Sequence, residues 1–285
     1  MRSKSGYRVT YPTGSRQRFF LASPNYLRAY LSWFHACPPD VQAMAVTVSD
    51  GDQPSQATFS PSASGPKQIT IPDPHFFDAV GFASERALAA NETGWANRAD
   101  EIVWRGLPNG FGRLSFTSEA IADRSVNARL RLVMGLSGHA GTDVKFSGVI
   151  EEVASWEPTL RSLGHIGRPQ APHSWLERKY AIDIDGYANT WSNFLVRMLF
   201  GCCVFKVESQ FGFRQWYYDR ITPFEHYVPV RADMSDLVEK IDWARSHQNQ
   251  AREIAAAGQR FAMALDFEAG KRDAVEIISA NWDKR

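Results

Sequence analysis

The sequence predicts an α/β fold in which a parallel sheet is buried between crossover helices. Two features of residues 177–243 predict it. Continuous apolar runs cover residues 180–184, 202–207 and 226–230, and a polar or helical segment follows each of them. Unbroken apolar runs are typical of strands that are buried on both faces, and the segments between them have room for helical connections.

Polar residues directly follow the three runs. Asp185 and Gly186 come after the first run, Glu208 and Ser209 after the second, and residues 233–236 after the third. The ligand of a parallel sheet lies beyond the carboxyl ends of the strands, where these residues would meet. Carboxylates, hydroxyls, a glycine and a helix start therefore predict a polar ligand that carries phosphate.

Residues 1–97 predict a small α/β domain of short elements. These are, in chain order, a strand at 7–11, a helix at 23–36 with Ser23 as its cap and Pro24 in its first turn, strands at 41–48 and 68–71, and a helix at 75–91. The segment 53–67 is rich in Ser, Pro and Gly, which is typical of a surface loop. Strand 41–48 ends at Ser49-Asp50-Gly51-Asp52.

The rest of the chain predicts a second α/β domain, joined to the first by the polar residues 98–101. Besides the three runs, its predicted elements are strands at 102–104 and 143–147 and helices at 125–134, 236–245 and 251–261. A last helix, 269–281, has no strand to return to. We therefore predict an N-terminal domain at 1–97, a second domain at 98–265, and a segment, 266–285, that packs back on the first domain.

The composition excludes several classes of protein. The 285 residues are 44% hydrophobic and 13% aromatic, which suffices for packed cores. A net charge of +1 without long runs of one sign argues against nucleic-acid binding. Cys37, Cys202 and Cys203 have neither disulfide nor zinc spacing. We find no signal peptide and no membrane-spanning stretch, so we expect a cytoplasmic protein whose membrane contact is at most peripheral, at the inner face.

Several sequence blocks resemble, in the same order, glycosyltransferase family 90. They are WRG at 104–106, KYxIxIDG at 179–186, VFKV at 204–207, WYYDRxxPxxHYVPVxxDxSDL at 216–237 and KIxWA at 240–244. This capsule-associated family includes fungal capsule xylosyltransferases and animal protein O-glucosyltransferases, and the chain is identified as a bacterial-type member. The resemblance covers residues 41–261 and implies a GT-B-like α/β fold, two Rossmann-like domains with a cleft between them. It also implies inversion at the anomeric carbon by a single displacement.

Asp50 is the candidate catalytic residue. From the residues alone, a carboxylate just after a buried strand is placed to face a cleft, but Ser-Asp-Gly-Asp is also an ordinary turn sequence. The resemblance implies that Asp50 is the general base, with Asp52 as the alternate. The base would take the proton of the acceptor hydroxyl while that oxygen attacks the sugar.

Basic residues after strand 102–104 are candidates for donor binding. The guanidinium of Arg105 can bind a diphosphate through two charge-assisted hydrogen bonds, and Gly106 lets the backbone approach the ligand. In isolation this block would instead indicate a core tryptophan and a surface ion pair. Arg129 and Arg131, on the next predicted helix, resemble basic residues that follow the block in relatives, and solvated helix arginines are the alternative.

The turn after strand 180–184 is a second candidate phosphate site. From Gly186 the chain leads into a helix whose N-terminal N–H groups attract anions. Three residues suit the capping position, and the sequence does not choose among Asn189, Thr190 and Ser192.

One cation of the animal relatives is missing from this turn. They carry an arginine where Asn193 stands in this chain. Lys206, at the end of its strand, or Arg105 could take over the phosphate contact, and a strand-end lysine that faces water is the alternative for Lys206.

The remaining donor-binding candidates follow the second and third runs. Gln215 stands where relatives usually have a glutamate that could bind ribose hydroxyls, while an aromatic core is the simpler interpretation of its neighbours. The backbone at Tyr227 could hold a flat base by its edge. Asp233 and Ser235 read first as a helix cap. Only the resemblance implies that they lie near the sugar or ribose.

No metal or cofactor is expected beyond the sugar nucleotide co-substrate. Asp183 and Asp185 have the spacing of a DxD metal motif, but a buried strand and its end explain them better. GT-B enzymes commonly need no metal for this step.

These observations predict an inverting glycosyltransferase that moves glucose or xylose from a UDP-sugar to a hydroxyl of a surface glycan, lipopolysaccharide or capsule. The alternative is a catalytically inactive nucleotide-sugar-binding protein of the same fold, which the Asn193 and Gln215 departures favour. A glycoside hydrolase would need two opposed carboxyl groups, and the sequence gives no sign of such a pair.

Overall fold

The computed structural model describes residues 1–3, 6–10, 24–50, 56–91 and 93–283. Its strands, in chain order, are β1 (Arg2–Ser3), β2 (Gly6–Tyr7), β3 (Phe59–Ser60), β4 (Ile69–Thr70), β5 (Ile102–Gly106), β6 (Thr142–Phe146), β7 (Tyr180–Asp183), β8 (Cys203–Val207) and β9 (Val228–Val230). Its α-helices are α1 (Pro24–Ala36), α2 (Pro74–Asp78), α3 (Ala83–Ala89), α4 (Ala128–Gly135), α5 (Glu157–Ser162), α6 (Asn193–Leu199), α7 (Leu237–Ser246), α8 (Gln248–Ala264) and α9 (Phe267–Ser279).

Strands β5 to β9 form one parallel sheet with the order β6-β5-β7-β8-β9. The first of these strands in the chain lies inside the sheet. From it the chain proceeds to one side through β6 and then to the other side through β7, β8 and β9. Doubly wound folds share this order, and their ligand crevice lies at the switch point where the direction changes. The switch point of this sheet lies between β5 and β7.

The sheet is covered on both faces. All residues of β7 and β8 are buried, α4 packs on β6, α6 on β7 and β8, and α7 on β9. A strand that is covered on both faces needs no alternation of apolar and polar residues. The unbroken apolar runs therefore predicted these strands correctly, and the α/β fold class is confirmed.

The predicted elements of this sheet shift by only a few residues. The strand predicted at 102–104 extends to Gly106, and the helix predicted at 251–261 extends over the whole of α8. Among the described residues, no helix is both long and apolar enough to cross a membrane.

The described residues before residue 84 contain little regular sheet. β3 and β4 are two-residue parallel strands, and Val46 forms a single bridge to Phe59. The strand predicted at 41–48 is therefore wrong beyond this bridge, because its partner β3 is too short to pair with more of it. The strand predicted at 7–11 pairs only at Gly6–Tyr7, and residue 11 and Ser23 lie outside the described residues.

The helix predicted at 75–91 is interrupted in its middle. Val80, Gly81 and Phe82, between α2 and α3, all have positive φ angles, of 50°, 63° and 60°. A Cβ atom added to Gly81 would collide with the backbone of Phe267 at the start of α9. The helix is therefore interrupted where the start of α9 approaches it closely. A local sequence pattern cannot predict this approach, because α9 lies far away in the sequence.

The chain divides into two compact units with borders that differ from the predicted ones. The first unit comprises Met1–Ala83, Phe211–Asp219 and Ala264–Arg285, and the second comprises Ser84–Gln210 and Arg220–Met263. Segment 211–219 joins the first unit through packing of Trp216 on Phe76, with ring centroids 5.1 Å apart. Helix α9 packs on α1, where the rings of Phe267 and Trp33 are 5.5 Å apart.

Candidate active site

The loops after β5 and β7 meet backbone to backbone at the switch point. A Cβ atom added to Gly110 would lie 3.1 Å from the carbonyl oxygen of Gly186. One added to Gly186 would lie 2.6 Å from Nδ2 of Asn109. Neither position can accept a side chain without movement of its neighbour. A side chain at Gly186 would displace the end of the Asn109 side chain, and the contact of Gly186 with a donor stays a prediction.

Arg129 of α4 ties these two loops together. Its guanidinium donates to the carbonyl oxygens of Asp185 at 3.0 Å, Ile184 at 3.2 Å and Leu107 at 3.1 Å. Burial lowers the pKa of Arg129 to about 10, against the opposing effect of Asp183 and Asp185. The side chain therefore stays charged at neutral pH, and it acts as a clamp rather than as a solvated helix arginine.

Lys206 of β8 forms buried ion pairs with two carboxylates at the end of β7. Its Nζ lies 2.7 Å from Oδ2 of Asp183 and 3.1 Å from Oδ1 of Asp185. Thr190 and Asn193 donate to Oδ1 of Asp183 at 2.6 and 2.8 Å. Burial alone would raise the pKa of Asp183, but Lys206 and the two donors hold it below its ordinary value.

The ammonium group of Lys206 is paired with carboxylates and is not exposed to solvent. Burial by itself would lower the pKa of Lys206, but Asp183 and Asp185 outweigh burial and hold it above its ordinary value. The alternative that Lys206 faces water is therefore wrong. A phosphate at Lys206 would have to compete with two carboxylates already in place, and the predicted phosphate contact stays a prediction.

Asp185 carries an unsatisfied oxygen at the switch point. Its Oδ2 is buried and has no hydrogen-bond partner among the described residues, whereas its Oδ1 accepts from Lys206 and, at 3.4 Å, from Asn189. A buried carboxylate oxygen without a donor is unfavourable, so this oxygen can accept a hydrogen bond from a water molecule or from a ligand hydroxyl at the switch point. The sequence analysis named Asp185 among the residues after the strands that suit a polar ligand, and attributed only its DxD spacing with Asp183 to local structure.

The DxD spacing has a structural explanation. Asp183 and Asp185 both bind Lys206, which bridges β7 and β8. Within the part of the chain that the structure describes, no group of three or more His, Cys, Asp and Glu side chains could hold a metal ion.

Ser192 occupies the N-cap position of α6, but its side chain makes no capping hydrogen bond. The other two cap candidates use their side chains elsewhere, since Thr190 donates to Asp183 and Asn189 to Asp185. The donor contact predicted for Ser192 stays a prediction.

Arg131, Asp233 and Ser235 lie together at the carboxyl end of β9. The buried guanidinium of Arg131 donates to the carbonyl oxygen of Asp233 at 3.3 Å and to Gln210 at 3.2 Å, while its Nε has no partner among the described residues. Oδ1 of Asp233 accepts from the N–H of Ser235 at 3.0 Å and from its hydroxyl at 2.8 Å, and these bonds lower the pKa of Asp233. Three predicted donor-binding residues are thus brought together by the fold.

Arg105 faces β6 rather than the switch point. It forms an ion pair with Asp143 and donates to the carbonyl oxygen of Arg168 at 2.9 Å. A Cβ atom added to Gly106 would lie 2.5 Å from the ring of Trp104, so this glycine makes room for the indole. Both residues thus have structural partners. A diphosphate could bind Arg105 only if it displaced Asp143 or the carbonyl oxygen of Arg168.

Tyr227 precedes β9, at the opposite end of that strand from Asp233. Its ring packs edge-on against Phe194, with centroids 5.5 Å apart, and its carbonyl oxygen accepts from the N–H of Phe224 at 2.7 Å. These contacts do not test the prediction that the backbone at Tyr227 binds the nucleobase of the donor.

Asp50 lies in the first unit, in the irregular segment after the Val46 bridge. The side chain of Asp50 is half-buried, and its Oδ1 accepts a hydrogen bond of 2.8 Å from the hydroxyl of Tyr26 on α1. Asp52, the alternate base, lies outside the described residues. Sequence reasoning missed Tyr26, since nothing in the pattern links residues that lie so far apart.

Gln215 also belongs to the first unit, which differs from its predicted place in the second domain. It is buried, and its Nε2 lies 3.5 Å from Oδ2 of Asp73 while its Oε1 accepts from Tyr217 at 3.1 Å. Asp73 is fully buried and caps α2 by accepting from the N–H groups of His75 and Phe76. Gln215 therefore has a structural partner, and donor binding through it stays a prediction.

Comparison with known proteins places the chain in a family. The model of glycosyl transferase family 90 matches residues 83–268. Protein O-glucosyltransferase 2 of Danio rerio is 42% identical over 85 residues, which are 30% of this chain and 16% of that protein. Uncharacterized protein 179R of Invertebrate iridescent virus 6 is 28% identical over 184 residues, which are 59% of this chain and 15% of that protein. The chain thus spans less than a fifth of these relatives.

Similar solved structures include HepE of Anabaena in complex with UDP and glucose, at 14% identity and a TM-score of 0.42, covering 70% of this chain and 52% of that one. Sucrose-phosphate synthase of Thermosynechococcus elongatus has the same identity and TM-score, with 70% and 48% covered. Since the family model matches well over half of the chain, as the sequence blocks predicted, the protein belongs to glycosyl transferase family 90.

Proposed function

We propose that the protein is a glycosyltransferase that takes a sugar from a UDP-sugar and transfers it to an acceptor hydroxyl. The observation that carries the proposal is the unsatisfied Oδ2 of Asp185 at the switch point, within the region that matches the family. Support also comes from relatives that are named protein O-glucosyltransferases. A sugar nucleotide is rich in hydroxyls, and one of them would satisfy this oxygen.

The donor would contact the loops that follow β7 and β9. In this proposal Asp185 accepts a hydrogen bond from a donor hydroxyl, and Nε of Arg131 donates to the nucleotide. Asp233 and Ser235 lie beside Arg131 and would contact the ribose or the sugar. Lys206 acts indirectly, because its ammonium group donates to Oδ1 of Asp185 and thereby orients the carboxylate.

The transfer itself would be a single displacement with Asp50 as the base. The acceptor oxygen forms a bond to the anomeric carbon while the bond from that carbon to the diphosphate oxygen breaks. The electron pair leaves with UDP, the acceptor proton moves to Asp50, and the configuration inverts. A general base contributes about 10²–10⁴ in rate. We propose no metal or cofactor for this step.

The finer features of the substrates are part of the same proposal. Glucose and xylose are the proposed donor sugars, which differ by one hydroxymethyl group. A lipopolysaccharide or capsule glycan is the proposed acceptor, with the membrane approached only at its surface.

Calorimetric titration with UDP, UDP-glucose and UDP-xylose tests the donor, and UDP release from the two sugars tests the chemistry. Asp50→Asn should bind UDP like the wild type but release less than a hundredth of the UDP, because it lacks a base. Asp40→Asn, an exposed carboxylate of the same unit, is the matched control and should behave like the wild type. Absence of uridine nucleotide binding would defeat the proposal.

A catalytically inactive nucleotide-sugar-binding protein is the second candidate. One observation favours it. Arg105 and Lys206, the candidate diphosphate contacts, and Asn193, which stands where the resemblance implies an arginine, are all held by protein groups. Binding of UDP-sugars by the wild type without any UDP release would decide for this candidate.

A further inference from the structure

The hydroxyl of Tyr26 is held in place by a helix that is firmly packed. Helix α1 buries Tyr26, Tyr30, Trp33 and Phe34, and the rings of Tyr26 and Tyr30 lie edge to face with centroids 6.1 Å apart. Asp50, in contrast, lies in an irregular segment and is half-buried. A hydrogen bond of 2.8 Å therefore joins a rigid donor to a carboxylate whose own backbone is not part of a sheet or helix.

Among the described residues, the titratable groups that interact with Asp50 include Tyr26 and Tyr30 of α1 and His75 of α2. Asp73, the cap of α2, interacts in turn with Tyr30. Burial lowers the pKa of His75, although Asp50 and Asp78 oppose this, so the imidazole is largely neutral at neutral pH. Burial and the neighbouring Tyr26, Asp73 and Asp50 raise the pKa of Tyr30.

We propose that Tyr26 is a positioning residue for Asp50, which fixes the orientation of its carboxylate and favours its ionised state. The inference rests on the proposed function, in which Asp50 takes the proton of the acceptor. A base must be ionised before it can accept a proton, and a neutral hydroxyl that donates to the carboxylate stabilises that state. Tyr26 would thereby extend the pH range in which the base is competent toward the acidic side.

The expected sign of the effect follows from the hydrogen bond. Tyr26→Phe removes a hydrogen bond that stabilises the ionised carboxylate of Asp50. The pKa of Asp50 should therefore rise by about one unit. Because the rate needs ionised Asp50, the acidic limb of the pH–rate profile should move by the same amount toward higher pH. The affinity for UDP should stay unchanged.

Tyr30→Phe is the matched control. Tyr30 lies one turn further along α1 and is more deeply buried than Tyr26, but its hydroxyl has no hydrogen-bond partner among the described residues. Its removal deletes the same atom from the same helix without removing a bond to Asp50. Any shift that comes merely from loosening α1 should appear in both variants.

Two readouts test the proposal. The first is a ¹³C NMR titration of the aspartate carboxyl carbons, with Asp50→Asn to assign the signal, in the wild type and in both tyrosine variants. The second is the pH profile of UDP release from UDP-glucose, with water as the acceptor. A rise in the pKa of Asp50 and a matching move of the acidic limb in Tyr26→Phe alone would support the proposal.

Equal behaviour of Tyr26→Phe and Tyr30→Phe in both readouts would overturn the proposal and leave the proposed function intact. Full UDP release by Asp50→Asn would instead overturn the base assignment, and with it the catalytic role of Tyr26. Absence of nucleotide binding by the wild type would defeat the proposed function, while the NMR titration would still decide whether Tyr26 holds Asp50 ionised.

Discussion

Two aspartates, one in each unit, are both completely buried but are held by different partners. Asp183, in the sheet of the second unit, is paired with a lysine, and its pKa lies below the ordinary value. Asp73, in the first unit, accepts from two backbone N–H groups and a glutamine amide, and burial raises its pKa to about 7. Equal burial thus accompanies pKa shifts in opposite directions, because Lys206 outweighs the loss of solvation at Asp183, whereas the hydrogen bonds to Asp73 do not outweigh it.

The largest expected effect comes from removal of the cation. Lys206→Met would leave Asp183 buried without a charged partner, which should lower the free energy of unfolding by about 3–5 kcal/mol at pH 7. Urea denaturation measures this loss. Lys145→Met is the matched control, since Lys145 is an exposed strand lysine 3.3 Å from Asp143, and it should change stability by less than about 1 kcal/mol. Similar losses in both variants would contradict the account.

A smaller effect is expected from the pH dependence that Asp73 contributes. Its pKa is about 7 in the folded chain and about 4 in the unfolded chain, so the folded state binds the extra proton between these values. Stability should therefore fall as the pH rises from 4 to 7, by about 2–4 kcal/mol from this group. Asp73→Asn keeps a good helix cap and should flatten this decline in urea denaturation curves between pH 4 and 8. An unchanged decline would show that Asp73 is not its source.

The smallest of the three effects concerns Gln215. Gln215→Glu would put a second carboxylate against Asp73. We expect a loss of about 1–2 kcal/mol at pH 8 and almost none at pH 5, where one proton can be shared between the two groups. Gln250→Glu, at an exposed position on α8, is the control and should be neutral at both values. A loss independent of pH would point to packing rather than to charge.

The two units also differ in how well the sequence predicted their secondary structure. The strands of the parallel sheet are specified by their own apolar runs, so local patterns were sufficient. In the first unit, Gly81 meets Phe267 and Trp216 packs on Phe76, and both contacts join segments that lie far apart in the chain. Patterns within a window of residues carry no information about such contacts, and therefore the break in the helix predicted at 75–91 was missed. The strand predicted at 41–48 is wrong for another reason, because its partner β3 has only two residues.

For the candidate site, the sequence predicted individual residues but not their partners. Position after a strand identified Asp185, Gly186 and Asp233, because the carboxyl ends of parallel strands share one edge. It could not show that β5 and β7 are neighbours, and hence that Asp185 lies at the switch point. The sequence also could not show that Arg105 forms an ion pair with Asp143 on β6, since side-chain partners depend on strand order.

The most direct test of the central claim is the affinity of Asp185→Asn for UDP-glucose, measured by calorimetry beside the wild type and Asp242→Asn. Asp242 is an exposed aspartate on α7, and its replacement should change nothing. If Oδ2 of Asp185 accepts a donor hydroxyl, Asp185→Asn should bind UDP-glucose about tenfold more weakly or worse, with a melting temperature close to that of the wild type. Equal affinity of all three proteins for UDP-glucose would contradict the placement of the donor at the switch point.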